Sequence, residues 1–347
     1  MLHSLYPTDD PALRRSVARA AARAGRPLVF TSLHIPESSG LRAFGAELAG
    51  LHRELGIEFC ADVSPKALAL LGVDLAGLGM LRDWGVTTVR IDFGFAPEEV
   101  RAIAAAGPFR IAVNASTVTP DDLDGLAGLD LIGWHNYYPR PETGLTEEFY
   151  TGQNALLRGR GHDVVTFIPG ERDFRAPLHL GLPTLESHRH ANAYVNHARA
   201  LAACPDTAVA CAEGTVLPQH EEWIERRERH GEIVVPLASV PGAMRHLLDA
   251  PLRLRPEGAA ASHRIEGTRG GAIPPDAVNG TRRARGSLQV DVASMGRYGG
   301  EVHLMRADLP LTAAQVRVGE IAGPYVDLVD LLRPGQAVRF VIDPAAG

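Results

Sequence analysis

Four acidic residues stand where short apolar runs give way to polar loops. Glu37 follows "PLVFTSL", Asp62 lies in "IEFCADV", Asp92 in "VTTVRIDF" and Glu213 in "TAVACAE". Beside them come residues that bind hydroxyls, amides and anions. Tyr6 ends "LHSLY", Asn114 lies in "FRIAVNA", and "LDLIGWHN" leads into His135, Asn136, Tyr138 and Arg140. Arg175 follows the seventh run, in "PGERDFR". Carboxylates mixed with amide, phenol and guanidinium donors suit acid–base or nucleophilic work on a polyhydroxylated substrate. Two carboxylates flanking a glycosidic bond are the usual machinery of sugar hydrolysis. Arginines on late loops suit a phosphate.

Each of these residues also has a purely structural use. Asp62 could cap the helix after it, Asp92 could pair with Arg90, and Asn114 could close an Asx-turn. His135 could donate to a backbone carbonyl, Glu213 could cap the last helix, and Arg140 and Arg175 could be solvated loop charges. His188 and His190 in "SHRH" invite a metal reading, but they sit at the start of a helical pattern away from the strand ends, and no metal is expected. The three cysteines, Cys60, Cys204 and Cys211, have no paired ligand spacing. Cys60 and Cys211 lie in apolar runs and read as inert buried thiols. Lys66 is the only lysine, so Schiff-base chemistry must use it or fail.

The elements that would position these groups repeat. Eight short apolar runs, at 2–6, 27–33, 57–63, 86–93, 109–115, 129–136, 163–168 and 207–213, alternate with helical patterns. One pattern runs from Asp10 to Gly25 and another, "SGLRAFGAELAGLHRELG", ends in Gly56. In "TPDDLDGLAGL", Thr119 is a candidate N-cap with Pro120 in the first helical position. "LESHRHANAYVNHARALAAC" predicts a longer helix before the eighth run. Continuous apolar strands alternating with helices indicate a covered parallel sheet, and eight units predict an α/β fold, the (β/α)8 TIM barrel, over residues 1–230. An open doubly wound sheet is disfavoured because "SLYPTDDP" carries no glycine fingerprint. Barrels of this kind gather their chemistry at the C-terminal ends of the strands, where the residues above fall. Over residues 231–347 the runs are short, alternating and bounded by Gly or Pro, which predicts a second, mostly antiparallel β domain.

Bulk properties exclude other classes. The net charge of −6 gives no push toward nucleic acid or an anionic membrane. No apolar run approaches the roughly 20 residues that span a bilayer, and "MLHSLYPTDD" lacks a secretory pattern. A cytoplasmic protein is expected.

The stretches "FTSLHIPES", "ADVSPKALALLG", "VRIDFGF", "VNASTVTPDDLDGL", "WHNYYPRPETGLTEEFYTGQNALL", "FIPGERDFRAPLHLGLPTLESHR" and "RGSLQVDV…GRYGGEVHL…LLRPGQAVRFV" resemble, in order and over nearly the whole chain, the MupG-type 6-phospho-N-acetylmuramidase family. "HNYYPRPETGL" and "GLPTLESHR" are the most specific of them. The resemblance implies a TIM barrel followed by a small cyclophilin-like β-barrel domain. It implies hydrolysis of the β-1,4 bond of N-acetylmuramic acid 6-phosphate–N-acetylglucosamine in cell-wall recycling, with no cofactor. By position, Asp62, Asp92, Asn114, His135, Asn136, Tyr138 and Arg140 match family motifs, and Arg175 and Arg297 match basic positions. On that basis Asp62 and Asp92 form the expected carboxylate pair, with Glu37 or Glu213 as substitutes. Tyr6, Asn114, His135, Asn136 and Tyr138 contact the sugar, and Arg140, Arg175 and Arg297 are phosphate candidates.

The chain departs from the pattern in substrate-facing loops. It has "VDVASMGRYGGE" where an "IDN" is expected, "PGERDFR" in place of a Gly-Asp-Gly-type loop, Glu213 in place of an Asp, and "YPT" in place of "YPE". The alternatives are hydrolysis of a different (phospho)glycoside or sugar-phosphate binding without catalysis. A pyridoxal-phosphate racemase or lysine aldolase would need a lysine that Lys66, after the third run, does not supply. A homo-oligomer is compatible with the sequence, because the β domain could complete its own barrel's pocket or a neighbour's.

Overall fold

The computed structural model describes residues 1–33, 40–91, 94–271, 273–274 and 282–346. Glu37 and Asp92 lie outside the described residues. The chain divides into two compact units, Met1–Pro218 and Gln219–Gly347.

In the first unit all eight apolar runs form strands: β1 (His3–Ser4), β2 (Leu28–Ser32), β3 (Glu58–Val63), β4 (Val86–Ile91), β5 (Arg110–Asn114), β6 (Leu131–Trp134), β7 (Asp163–Ile168) and β8 (Ala208–Cys211). They pair in parallel and in sequence order. Leu2 closes the ring against the last strand, its N–H donating to Val209 O at 2.8 Å and its carbonyl accepting from Cys211 N at 2.9 Å. The unit is a (β/α)8 barrel. Because alternate side chains face opposite sides of a strand, Phe30 joins the interior while its neighbour Val29 packs among the helices. Tyr6, Phe30, Cys60, Ala112, Trp134, Phe167 and Ala210 fill the barrel. Phe30 centres this packing, with ring centroids 5.4 Å from Trp134 and 5.0 Å from Phe167.

The helices are α1 (Pro11–Arg23), α2 (Leu41–Leu55), α3 (Pro65–Leu71), α4 (Met80–Asp83), α5 (Pro97–Ala106), α6 (Pro120–Gly125), α7 (Glu147–Gly159), α8 (Ala193–Ala203) and α9 (Pro218–His230). Their starts follow local chemistry. Asp10, Ser64, Thr119 and Thr146 accept first-turn amides, and Pro occupies the first helical position in α1, α3, α5 and α6. Ser64, not Asp62, caps α3. The helix expected from Leu185 starts only at Ala193, capped by Asn192; the residues before it are occupied elsewhere, as shown below.

The second unit holds β9 (Ile233–Ser239), β10 (Leu252–Arg253), β11 (Ser262–Arg264), β12 (Arg282–Arg283), β13 (Ser287–Asp291), β14 (Val302–Met305), β15 (Leu309–Pro310), β16 (Gln315–Ile321) and β17 (Ala337–Ile342). Seven of these form one sheet in the order β10-β17-β9-β16-β13-β14-β11. Its pairings are antiparallel except β9 with β17, which run parallel. A bridge between Leu254 and Ile265 joins the two edge strands and curls the sheet. No described helix is long and apolar enough to cross a membrane.

Candidate active site

The C-terminal strand ends of the barrel are organised around a buried arginine. Alternation on β3 and β4 puts Asp62 and Arg90 on the same face, and Arg90 Nη1 donates to Asp62 Oδ1 at 2.9 Å. Arg90 Nη2 donates to Asn136 Oδ1 just beyond β6. One guanidinium thus ties together side chains from the ends of three strands. The amide of Asn136 is pinned as well: its N–H donates to Ser116 Oγ at 2.9 Å and its carbonyl accepts from Thr184 Oγ1 at 2.8 Å.

His135 and Asn114 lie behind this array. His135 is fully buried, with Nδ1 3.0 Å from Ser116 Oγ and Nε2 3.2 Å from Asn154 Nδ2. Asn154 donates to Nε2, so the ring proton sits on Nδ1. Burial, with Arg90 adding to it, pushes the imidazole down to about 3, so it stays neutral. Both ring nitrogens of His135 are engaged inside the protein, an arrangement that holds Ser116 and Asn154 in place. Asn114 Oδ1 accepts from Ser116 N at 3.0 Å, the Asx-turn alternative, which places Ser116.

A second group gathers at the ends of β1, β7 and β8. The Arg175 guanidinium lies 3.9 Å from the Tyr6 ring centroid and donates to Tyr137 Oη at 3.0 Å. Arg175 Nε is buried without a partner, and the residue has no ion pair with a described carboxylate. Tyr6 Oη donates to Ala212 O at 2.6 Å, and its N–H donates to Asp9 Oδ2 at 2.7 Å. Burial pushes the Tyr6 phenol and the Asp9 carboxyl up. Glu213 is 1% exposed. Its Oε2 accepts the Arg175 N–H at 2.6 Å, while Oε1 is buried with no partner. Burial raises Glu213 to about 7 against the pull of the Arg175 amide and charge. It holds the loop after β7 and caps no helix.

The most specific motifs lock each other in place. Glu186 accepts from Glu142 N and Gly144 N at 2.9 and 2.8 Å and binds Arg189 through Nε and Nη2, both at 2.6 Å. Arg189 also donates to the carbonyls of Tyr138, Arg140 and Gly181. The side chains of Glu186 and Arg189 are thus taken up by the loop after β6, which is why α8 starts late. The Arg189 ion pair pulls Glu186 down to about 2. Above this clip Tyr138 is half-buried, and the exposed Arg140 makes no side-chain hydrogen bond or ion pair with a described residue.

The remaining candidates have surroundings of their own. His188 is buried and His190 exposed. Arg297, in the second unit, stacks on Tyr298 at 4.9 Å and donates to its hydroxyl. In the same unit Asp291, Glu301 and His303 lie close enough to hold an ion, but Glu301 is already bound by Arg264 and Arg269. A cleft of about 240 Å³ beside Cys204 and Arg158 lies at the opposite end of the barrel. Tyr137, Ser116, Asp9 and the Glu186–Arg189 pair were not singled out from the sequence. Tyr137 carried a signal as a member of the "HNYYPR" row, and Glu186 and Arg189 as members of "GLPTLESHR".

Residues 3–209 match the family model described as 6-phospho-N-acetylmuramidase, N-terminal, and residues 244–341 match its C-terminal counterpart. The chain belongs to the 6-phospho-N-acetylmuramidase family. It is an enzyme of the glycosidase class. Among solved structures, this family member is similar to a conserved Enterococcus faecalis protein of unknown function, at 26% identity and TM-score 0.85, covering 100% of this chain and 97% of that one. An uncharacterised B. cereus protein shares 22% identity with a TM-score of 0.78, covering 98% of each chain. No curated protein matches the chain.

Proposed function

We propose that the chain hydrolyses the β-1,4 bond between N-acetylmuramic acid 6-phosphate and N-acetylglucosamine, in the cytoplasm, during recycling of cell-wall sugars. The observation that supports it most is the Arg90 array. A carboxylate, Asp62, and an amide, Asn136, are fixed by one buried guanidinium at the strand ends where barrel enzymes act. Asp62 is the charged member of the catalytic pair and opposes the positive charge that develops at the anomeric carbon. Asp92, two residues beyond Arg90, is the proposed proton donor to the leaving oxygen, with Glu37 as its substitute. Glu213, enclosed and holding Arg175, acts as a positioning residue. Asn136 and Tyr138 bind sugar hydroxyls, and the unpaired guanidinium of Arg140 receives the 6-phosphate.

Arg140→Ala tests the phosphate assignment. A charge-assisted hydrogen bond is worth about 1.5–3 kcal/mol, so KM for the 6-phosphorylated disaccharide should rise at least about tenfold. KM for the unphosphorylated form should change little. An equal rise for both substrates removes Arg140 from the phosphate site.

A further inference from the structure

The loop after β7 shows an unusual surface. Phe174, Leu178 and Leu180 are 37%, 44% and 48% exposed. Three large apolar side chains exposed within seven residues mark a contact surface better than scattered ones do. The loop that carries them is held firmly. Glu171 N and Arg172 N donate to Thr215 O, Arg175 N to Glu213, and His179 N to Arg175 O at 3.0 Å. His179 Nδ1 lies 2.6 Å from Phe174 O, and Arg189 binds Gly181 O at 3.1 Å. Asp173 and His179 take positive φ, at 58° and 54°, which costs a non-glycine residue energy that the surrounding bonds must offset. A fixed loop thus offers apolar side chains to solvent before and after Arg175 in the chain, and Arg175, though it feels the charges of Asp9 and Glu213, makes no ion pair with a described carboxylate.

A cation and exposed apolar side chains carried by one fixed loop fit a ligand group that joins a carboxylate to a methyl. We propose that this loop recognises the 3-O-lactyl ether that distinguishes muramic acid from glucosamine, with Arg175 receiving its carboxylate and Leu178 and Leu180 covering its methyl. The proposal rests on the substrate class given above and deepens it. It moves Arg175 from the phosphate to the lactyl carboxylate and leaves the phosphate to Arg140. A flat guanidinium stacked on Tyr6 is already fixed in plane, which favours a planar carboxylate.

Calorimetric binding of two products tests this without turnover: N-acetylmuramic acid 6-phosphate and N-acetylglucosamine 6-phosphate. Both carry the phosphate, so only the lactyl group differs. A charge-assisted bond should contribute at least about tenfold, and a buried methyl about fourfold (about 0.8 kcal/mol). The muramic ligand should therefore bind at least about tenfold more tightly. Leu178→Ser with Leu180→Ser should cut that ratio about fourfold, and Arg175→Lys should cut it about tenfold. Equal affinity of the native protein for the two ligands overturns the proposal. So does a ratio that survives the serine substitutions while they convert a dimer to a monomer in sedimentation, because the patch is then an interface between copies. Cleavage of the phosphorylated disaccharide, assayed on the same preparation, reports separately on the proposed activity.

Discussion

Arg90 decides whether the site exists. Its side chain is 3% exposed and its partner Asp62 11%, so removing either leaves a charge with little water to solvate it. Arg90→Ala should destabilise the protein by about 3–5 kcal/mol, read as a lower urea midpoint at unchanged slope, and should abolish turnover. A midpoint within error of the native protein would mean that water replaces the pair. Glu213 makes a second prediction at this scale, through pH. Its carboxyl rises from 4.5 to about 7 on folding, so the native state holds the proton more tightly than the unfolded chain. That contribution is complete below about pH 4.5 and fades as pH rises through about 7. The full swing is on the order of 3 kcal/mol at 1.36 kcal/mol per unit. Glu213→Gln cannot lose a proton, so its stability should fall less than the native protein's between pH 5 and 8. Parallel stability curves for the two proteins would show that Glu213 is not the group responsible.

The loops after β6, β7 and β8 form one interlocked element. Gly214, at φ 55°, brings β8's exit so close to the β7 loop that an added Cβ would lie 1.9 Å from Arg172 O. Gly214→Ala should therefore displace Arg175 and Glu213 together and lower kcat/KM by tenfold or more, a loss of about 1.4 kcal/mol or more in transition-state binding. Native activity in that variant would show that the two loops can part without harm. Arg189→Lys should also fail, because an ammonium cannot span the Glu186 carboxylate and three carbonyls that the planar fork serves. Its signature is faster hydrogen exchange at Glu142 and Gly144, whose amides Glu186 holds. Much of this architecture could be read from the sequence. Strands covered on both faces are continuous apolar runs, so all eight barrel strands were visible, and so were the acids and arginines at their ends. What residue type could not show was which polar side chains serve the protein itself. His135 is of sugar-binding type, yet its partners Ser116 and Asn154 come from the turn after β5 and from α7. "LESHR" is compatible with a helix, and distant groups draw it out of one: the amides of Glu142 and Gly144, backbone pairing with Leu145 and the carbonyls that Arg189 binds.

At the scale of the whole molecule, a chain of net charge −6 is proposed to bind an anionic sugar. Attraction must then be local, from Arg140 and Arg175 against an opposing overall field. Charges at the exposed Arg140 are screened over about 8–10 Å at physiological salt. KM for the phosphorylated disaccharide should rise with ionic strength, while KM for the unphosphorylated form, which lacks that charge, should rise less. Identical salt profiles would place the phosphate away from exposed arginine.

The central claim is tested most directly by turnover of N-acetylmuramic acid–N-acetylglucosamine with and without its 6-phosphate, by the native protein and by Asp62→Asn and Asp92→Asn. The account predicts cleavage of the phosphorylated form in strong preference to the other, lost on substitution of Asp62. Cleavage of neither form by the native protein, or full activity in Asp62→Asn, would contradict it.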